Sequence, residues 1–424
     1  VGAKVADLPA AVSITLNPSP GLVDTRSVRL DFYLYAGHEV ATAAPVLTTL
    51  RRWGIDAAFV LEPPERHLAV GSSPDPAAGW RNRPRSRLVR LVDEPTFRAL
   101  RDLVADTGIP LLDACRRDAD VAVTTQGTAW LRRYRCPRAR IGYGVGLVLD
   151  SYGHGTVNRG FDAVLAHGEL SQRAMELQVP GVTAVPVGYP KWVAFRRGEV
   201  SRLDARKALG LDPDRPVLTY LPTWAHRASV EQMVDVLPNL TADWQVVVKP
   251  HHNSLRFEGG RLGALDELVP HALPPATRTD IVPYLVAADV VVTDAVSGAF
   301  TEALLARRPT VALTPAEQLP GLHPAAFRCA PVVTSARGVL HQLADGPVTE
   351  PDEVETWVSR MFRDCGGHDD EEAAFALVQC AQRRGGRLER QVRNRARGAA
   401  AAVARYADPT WRAEARARLG RGGR

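Results

Sequence analysis

Thr279–Pro315 reads TDIVPYLVAADVVVTDAVSGAFTEALLARRPTVALTP. A short helix leads into the β-branched run Val290–Val292. A loop of small and polar residues follows, a second helix starts at about Ser297–Gly298, and a final strand closes the unit. An uninterrupted apolar strand that feeds a helix and then another strand is a βαβ unit, which requires a parallel sheet.

The same grammar extends outward. RPVLTYLPTW and WQVVVKPHH are strands that end in polar tips, and VEQMVDVLPNL between them is a helix. In the first half, VRLDFYLYAGHEVATAAPVLTTLRRWGIDAAFVLEPP gives a strand over Leu30–Tyr35, a helix over Ala41–Trp53 ended by Gly54, and a strand over Ile55–Leu61. Residues 62–86 are rich in Pro, Arg and Ser and read as a loop. ADVAVTTQGTAWL, FDAVLAHGELSQRAMEL and TAVPVGYPKW continue the alternation, the second with a helix from Glu169 or Ser171. Phe195–Leu209 reads as a charged helical bridge, and 353–418 as mostly helical. The expected fold class is α/β: two parallel-sheet halves of similar size joined near residues 190–205, with a C-terminal helical segment. The expected units are an arm over 1–28, an N-terminal Rossmann-like domain over 29–194, a C-terminal Rossmann-like domain over 195–385, and an Arg-rich tail over 386–424.

Composition sets the bounds. A chain of 424 residues with 45% hydrophobic and 24% charged side chains suits two globular domains of roughly 100–200 residues each. The net charge of +6 fits anionic ligands, although much of the excess lies in the Arg-dense stretch after Arg383. That stretch suits a solvated helix or an anionic surface; nucleic acid is not the expected partner. Five scattered cysteines without a CxxC pair argue against a zinc site and for a reducing compartment. No apolar run reaches the length of a membrane span and no signal peptide opens the chain. The expected location is the cytoplasm, with peripheral membrane contact through the C-terminus if the acceptor is lipid-linked.

In parallel α/β sheets ligands gather at the carboxyl ends of the strands. Three tips carry chemistry: PTWAHR after Val217–Leu221, KPHHN after Val246–Val248, and TDAVSGAFTEA after Val290–Val292. Ser297 and Gly298 open a helix whose free N–H groups suit a phosphate, or Ser297 is simply an N-cap. Glu302, one turn inside, holds a ribose hydroxyl or complements the helix dipole. Lys249 and His251 alternate to one side of a strand end, where they either neutralise a diphosphate and hold the acceptor or leaving group, or form a solvated strand end with a core-satisfied histidine. Only four of the 53 basic residues are lysine, so its use at this tip stands out against a strong Arg bias. In the first half YGVG (Tyr143–Gly146) and GHGT (Gly153–Thr156) allow close backbone approach, and His154 and His167 are candidate general bases. GxxxxGK[ST], HExxH and GxSxG are absent, and no carboxylate–histidine cluster demands a metal.

YLPTW, VVVKPHH, DIVPYLVAADVVVTDAVSGAFTEALL and GYPK resemble the CDP-glycerol glycerophosphotransferase family of teichoic acid synthesis, over about residues 120–385 and most clearly from Pro216 to Pro315. The resemblance implies a GT-B fold, with the acceptor domain (29–194) and the nucleotide-donor domain (195–385) facing each other across a cleft. It also implies a metal-independent, His-assisted transfer of glycerol phosphate, or a related polyol phosphate, from a CDP-linked donor to an acceptor hydroxyl; that acceptor is lipid-linked, polymeric or a small soluble molecule. The donor is a substrate and no further cofactor is implied. By the family's motifs, Lys249 and His251 match K-P-H-P, Thr223 matches P-T-[FW], and Asp294 and Ser297 match T-D-Y-S-S. The chain departs where Ala225 stands for the Arg after P-T-W, with Arg227 following, and where Ala295–Val296 replace Tyr–Ser. The family's H-G-T base falls on Tyr143 by spacing and on His154 by letters, and His154 is the expected base. A glycosyltransferase or epimerase-like enzyme using a UDP-, GDP- or dTDP-sugar is the second expectation. A non-catalytic nucleotide- or polyanion-binding protein is the third.

Overall fold

The computed structural model describes residues 28–63, 68–71, 87–90, 94–125, 131, 133–143, 158, 160–179, 182–258, 263, 265, 280–316, 319, 324–346 and 349–382. The arm before Val28, the Arg-rich tail and His154 with its GHGT motif lie outside these residues.

Two parallel sheets organise the chain. The first contains β1 (Arg29–Tyr33), β2 (Asp56–Val60), β5 (Leu111–Leu112), β6 (Val121–Thr124), β7 (Arg138–Ile141), β8 (Ala163–Ala166) and β9 (Thr183–Pro186), in the order β5-β2-β1-β6-β7-β8-β9. Between β2 and β5 a two-stranded antiparallel ribbon, β3 (Leu68–Gly71) with β4 (Arg87–Arg90), replaces part of the loop expected over 62–86. The second sheet contains β10 (Val217–Leu221), β11 (Gln245–Val248), β12 (Val290–Asp294), β13 (Thr310–Leu313) and β14 (Val332–Val333), in the order β11-β10-β12-β13-β14.

The central strands are buried along their whole length because helices cover both faces. On β1 the period-two alternation is explicit. Leu30 and Phe32 pack with Val46, Leu47 and Leu50, while Tyr33 faces Ala122, Val164 and Met175 on the other side. In the second sheet Tyr220, Val248 and Val292 share one core, and Leu221, Val291 and Ala312 the other.

Four expectations change. The first helix runs Gly37–Arg52, not from Ala41; Gly54 does end it, in the left-handed region at φ +80°. The helix expected over VEQMVDVLPNL is broken into Val230–Met233 and Leu237–Leu240, because Pro238 lacks an N–H and its ring clashes with the carbonyl four residues earlier. The bridge after Phe195 is two short helices, Val193–Arg196 and Arg202–Ala208, separated at Gly198 (φ +69°). Helix Asp369–Gln382, expected with the second domain, packs Ala373, Leu377 and Cys380 into the core of the first. Its apolar stripe needs a partner, and the face of β1 and the first helix supplies one.

The crossing is tied down by charge. Asp369 accepts the Tyr189 N–H at 2.7 Å and pairs with Arg196 at 3.0 Å. Asp370 pairs with Arg197 at 2.7 Å and accepts the Thr49 hydroxyl at 2.6 Å.

Candidate active site

Strand order locates the cleft before any side chain is considered. In the first sheet the order reverses between β1 and β6, and in the second between β10 and β12. Loops leave such a switch point in opposite directions and open a crevice at the carboxyl ends.

At the first switch point, the chain leaves β1 through Leu34–Ala36 and enters the Gly37–Arg52 helix. Ala36, the N-cap, has no side chain to cap with. Glu39 compensates: its carboxylate accepts the N–H groups of Tyr35 and Ala36 (the latter at 2.8 Å) and the Thr125 hydroxyl beyond β6. One buried carboxylate thus fixes both loops of the reversal. His38, beside it in the first turn, projects to the second domain. Its ring stacks on His252 (centroids 4.2 Å apart, 29° between planes) and lies 4.5 Å from the Tyr143 ring. Neither His38 nitrogen has a hydrogen-bond partner among the described residues, and both are buried. Leaving such groups unsatisfied costs about 1–3 kcal/mol each, so a side chain serving only to pack would not be an imidazole. Burial, followed by the proximity of His252, His251, Lys191 and Lys249, holds the His38 pKa well below its ordinary value.

Tyr143 reaches this place from the end of β7 through Gly142. A side chain at Gly142 would meet His167 Cε1 at 2.9 Å and the Leu165 carbonyl at 3.2 Å, so the close approach requires glycine. His167 itself is buried, its ring against Tyr189 (4.4 Å) and Phe362 (6.0 Å).

The tip of β11 supplies the facing wall. His251 is the N-cap of a short helix, His252–Phe257, and its Nδ1 accepts the Asn253 N–H at 3.1 Å. An accepting Nδ1 puts the proton of a neutral ring on Nε2, which makes that nitrogen a donor. Burial, with His252 and Lys249 adding to it, keeps the His251 pKa well below ordinary. The ring lies 4.0 Å from His252 and is nearly parallel to Trp224 at 6.0 Å. Lys249 is buried, and its one hydrogen bond among the described residues is a long one, 3.3 Å, to the Pro250 carbonyl. Burial pushes its ammonium down to about 8; Lys191 pushes the same way, and Asp280 and Glu302 only partly oppose them.

The remaining candidates divide by task. Both Asp294 oxygens are taken by backbone, the N–H groups of Thr223 (2.6 Å) and Ser229 (3.1 Å), so Asp294 shapes the 222–229 loop. Thr223 is buried at the end of β10, and Arg227 is exposed two residues after Ala225, which adopts φ +58°. Ser297 caps helix Gly298–Leu305, its hydroxyl accepting the Ala299 N–H at 3.1 Å. Glu302 faces the interdomain connection: it accepts the Tyr189 hydroxyl (3.0 Å), the Lys191 ammonium (2.7 Å) and the Trp192 indole N–H (3.0 Å). Burial works against the Lys191 charge, but Glu302 outweighs it and holds that pKa above ordinary.

Tyr143, Lys249 and His251 are therefore brought to one interface, with Thr223 and Ser297 at the second switch point. Sequence reasoning missed His38, His252 and Lys191. The rule that functional residues follow apolar runs would have found His38 in LYAGHE, had the helix not been started at Ala41. Among the described residues, no group of three or more His, Cys, Asp or Glu is arranged to hold a metal ion. No helix there is long and apolar enough to cross a membrane.

Two Rossmann-like domains with facing switch points and a C-terminal helix crossing back define a GT-B fold. Solved structures agree. The wall teichoic acid polymerase TagF with CDPG superposes with a TM-score of 0.53 at 12% identity, covering 84% of this chain and 89% of that one. A UDP-GlcNAc 2-epimerase from Neisseria meningitidis bound to UDP-GlcNAc gives 0.51 at 12%, covering 83% and 99%. A putative UDP-N-acetylglucosamine 2-epimerase from Listeria monocytogenes gives 0.52 at 10%, covering 85% and 98%. No protein-family model and no curated protein sequence matches the chain.

Proposed function

We propose that the protein is a transferase that moves glycerol phosphate, or a related polyol phosphate, from a CDP-linked donor to an acceptor hydroxyl. One observation carries this reading: a buried lysine with, among the described residues, a single long hydrogen bond stands beside a neutral histidine whose Nε2–H is a donor, opposite an imidazole from the other domain. Lys249 and His251 suit the diphosphate of a nucleotide donor, and the Thr223 and Ser297 loops flank the nucleotide position at the switch point. Phosphoryl transfer asks for positioning and charge compensation more than for covalent chemistry, and this wall supplies both. The order of YLPTW, KPHH and the Asp294–Ser297 loop supports the CDP-linked donor over a nucleotide sugar; the likeness in fold extends to TagF and to UDP-GlcNAc 2-epimerases alike.

The test is a thermal-shift panel on the purified chain with CMP, CDP, CDP-glycerol, UDP, GDP and dTDP, followed by analysis of the released nucleotide. A ligand at about 100 times its Kd adds about 2.7 kcal/mol. Stabilisation by cytidine nucleotides and release of CMP is the expected result. Selective stabilisation by UDP, GDP or dTDP, with release of a nucleoside diphosphate, would replace this reading with a glycosyltransferase. Binding with no turnover of any donor would leave a nucleotide-binding protein.

A further inference from the structure

We infer that His38 is the catalytic base that takes the proton from the acceptor hydroxyl. The inference rests on the transferase reading and adds the residue that activates the nucleophile.

Four observations converge on it. His38 leaves the first sheet at its switch point, on a loop locked by Glu39 to the neighbouring strand end. Its ring meets the tip of β11 from the opposite domain, where His251 and Lys249 stand, so it lies where an acceptor held by one domain reaches a donor held by the other. Both nitrogens are without partners among the described residues, so a lone pair is available. The contact with His252 is face to face, not N–H to N, which leaves the His38 tautomer unconstrained by it. The charged and titratable groups around the ring are His252, His251, Tyr143, Lys191 and Lys249. With burial, their cations favour the neutral, proton-accepting form. Tyr143, 4.5 Å away, is a phenol and a poorer acceptor at neutral pH.

The step balances. A His38 nitrogen takes the hydroxyl proton as the acceptor oxygen forms a bond to the phosphorus that bears the polyol. The phosphoanhydride P–O bond breaks, and its electron pair leaves on the nucleoside monophosphate. Lys249 and His251 Nε2–H meet that charge. The imidazolium then returns its proton to the leaving phosphate or to water.

The experiment compares the full-length wild type with His38→Gln, His38→Ala and His251→Ala. Turnover is followed with CDP-glycerol and with UDP-, GDP- and dTDP-sugars, nucleotide affinity by calorimetry with CMP and CDP, and the His38 ring by NMR as a function of pH. Expected are a loss of kcat of about 10²- to 10⁴-fold in His38→Gln, a nucleotide Kd within about threefold of wild type, and loss of the acidic limb of the kcat/KM profile. The His38 resonance should stay in its neutral form below the pH at which a free histidine titrates. Retention of kcat within about threefold overturns the assignment. So does a nucleotide affinity lost in His38→Gln as fully as in His251→Ala, since His38 would then hold the donor. If the wild type consumes a nucleotide sugar and no CDP-polyol, the donor reading falls and the same variants decide His38 with that donor. If it consumes none of them, both fall.

Discussion

His251 and Lys249 stand two residues apart at the tip of β11 and respond to pH in different ways. The Asn253 N–H on Nδ1 fixes His251 as a donor through Nε2. Replacing it with Ala should lower kcat by about 10²–10⁴ with little change in the melting profile, because the short helix it caps loses only one N–H bond. Unchanged turnover in a folded His251→Ala protein would remove this tip from the site. Lys249 is charged only below about 8 in the free protein. A bound phosphate raises that value, so between the two values binding takes up a proton, and affinity falls as pH rises through about 8. Calorimetry of CMP binding at pH 8 in two buffers of different ionisation enthalpy should show the uptake, and Lys249→Met should abolish it. A binding enthalpy independent of buffer would exclude Lys249 from the anion site.

At the scale of elements, the connection between the domains is held by groups distant in sequence. Glu302, 111 residues from Lys191, gathers Tyr189, Lys191 and Trp192 onto one carboxylate. Glu302→Gln leaves a buried ammonium without its counter-charge, and a loss of about 3–5 kcal/mol is expected in chemical denaturation. Gly188, at φ +77°, would place an added Cβ 1.9 Å from Asp369 Oδ1. Gly188→Ala should therefore cost at least about 1–3 kcal/mol and loosen the crossing helix, which hydrogen exchange across Asp369–Gln382 would report. Exchange unchanged there would mean that Asp369 yields without disturbing the crossing.

The strands were legible because uninterrupted apolar runs have few other uses, and the polar tips of β10, β11 and β12 followed from them. The start of the first helix was not. Ala36 gives no cap signal, and the group that performs the capping, Glu39, reads locally as an ordinary charged residue. His38 was lost with that boundary. Nor does DDEEAAFALVQCAQ state which sheet its apolar stripe will cover; only the packed molecule decides that Ala373 and Leu377 join the first core. Glu302 fitted a ribose contact equally well until the chain brought Lys191 beside it.

Over the whole molecule, the His38–His252–His251 stack joins the domains through rings that cannot all carry charge. His38 and His251 have pKa values below the ordinary 6.5 of the unfolded chain. Between the depressed values and 6.5 the unfolded state binds more protons, so stability is full above 6.5 and falls as pH drops. The slope approaches ~1.4 kcal/mol per pH unit for each group that differs by a full proton, and the two titrate as a coupled pair. Parting the domains relieves the same repulsion without unfolding either core. Small-angle scattering should then show a larger radius of gyration at pH 5 than at pH 7.5, and the difference should shrink in His38→Gln. Identical profiles would mean that the interface tolerates the charge.

Over the described residues the chain passes between its two halves twice, outward near Tyr189–Arg197 and back near Phe362–Asp369, and Arg196 and Asp369 pin one passage to the other. A body joined at one point can swivel; a body joined at two can only swing about the line between them. An opening of the cleft would then carry His38 away from and back to the same facing ring, much as a door on two hinges meets its latch. Cutting the backbone in the returning passage would leave both cores folded and joined, yet would turn the door into a pendulum.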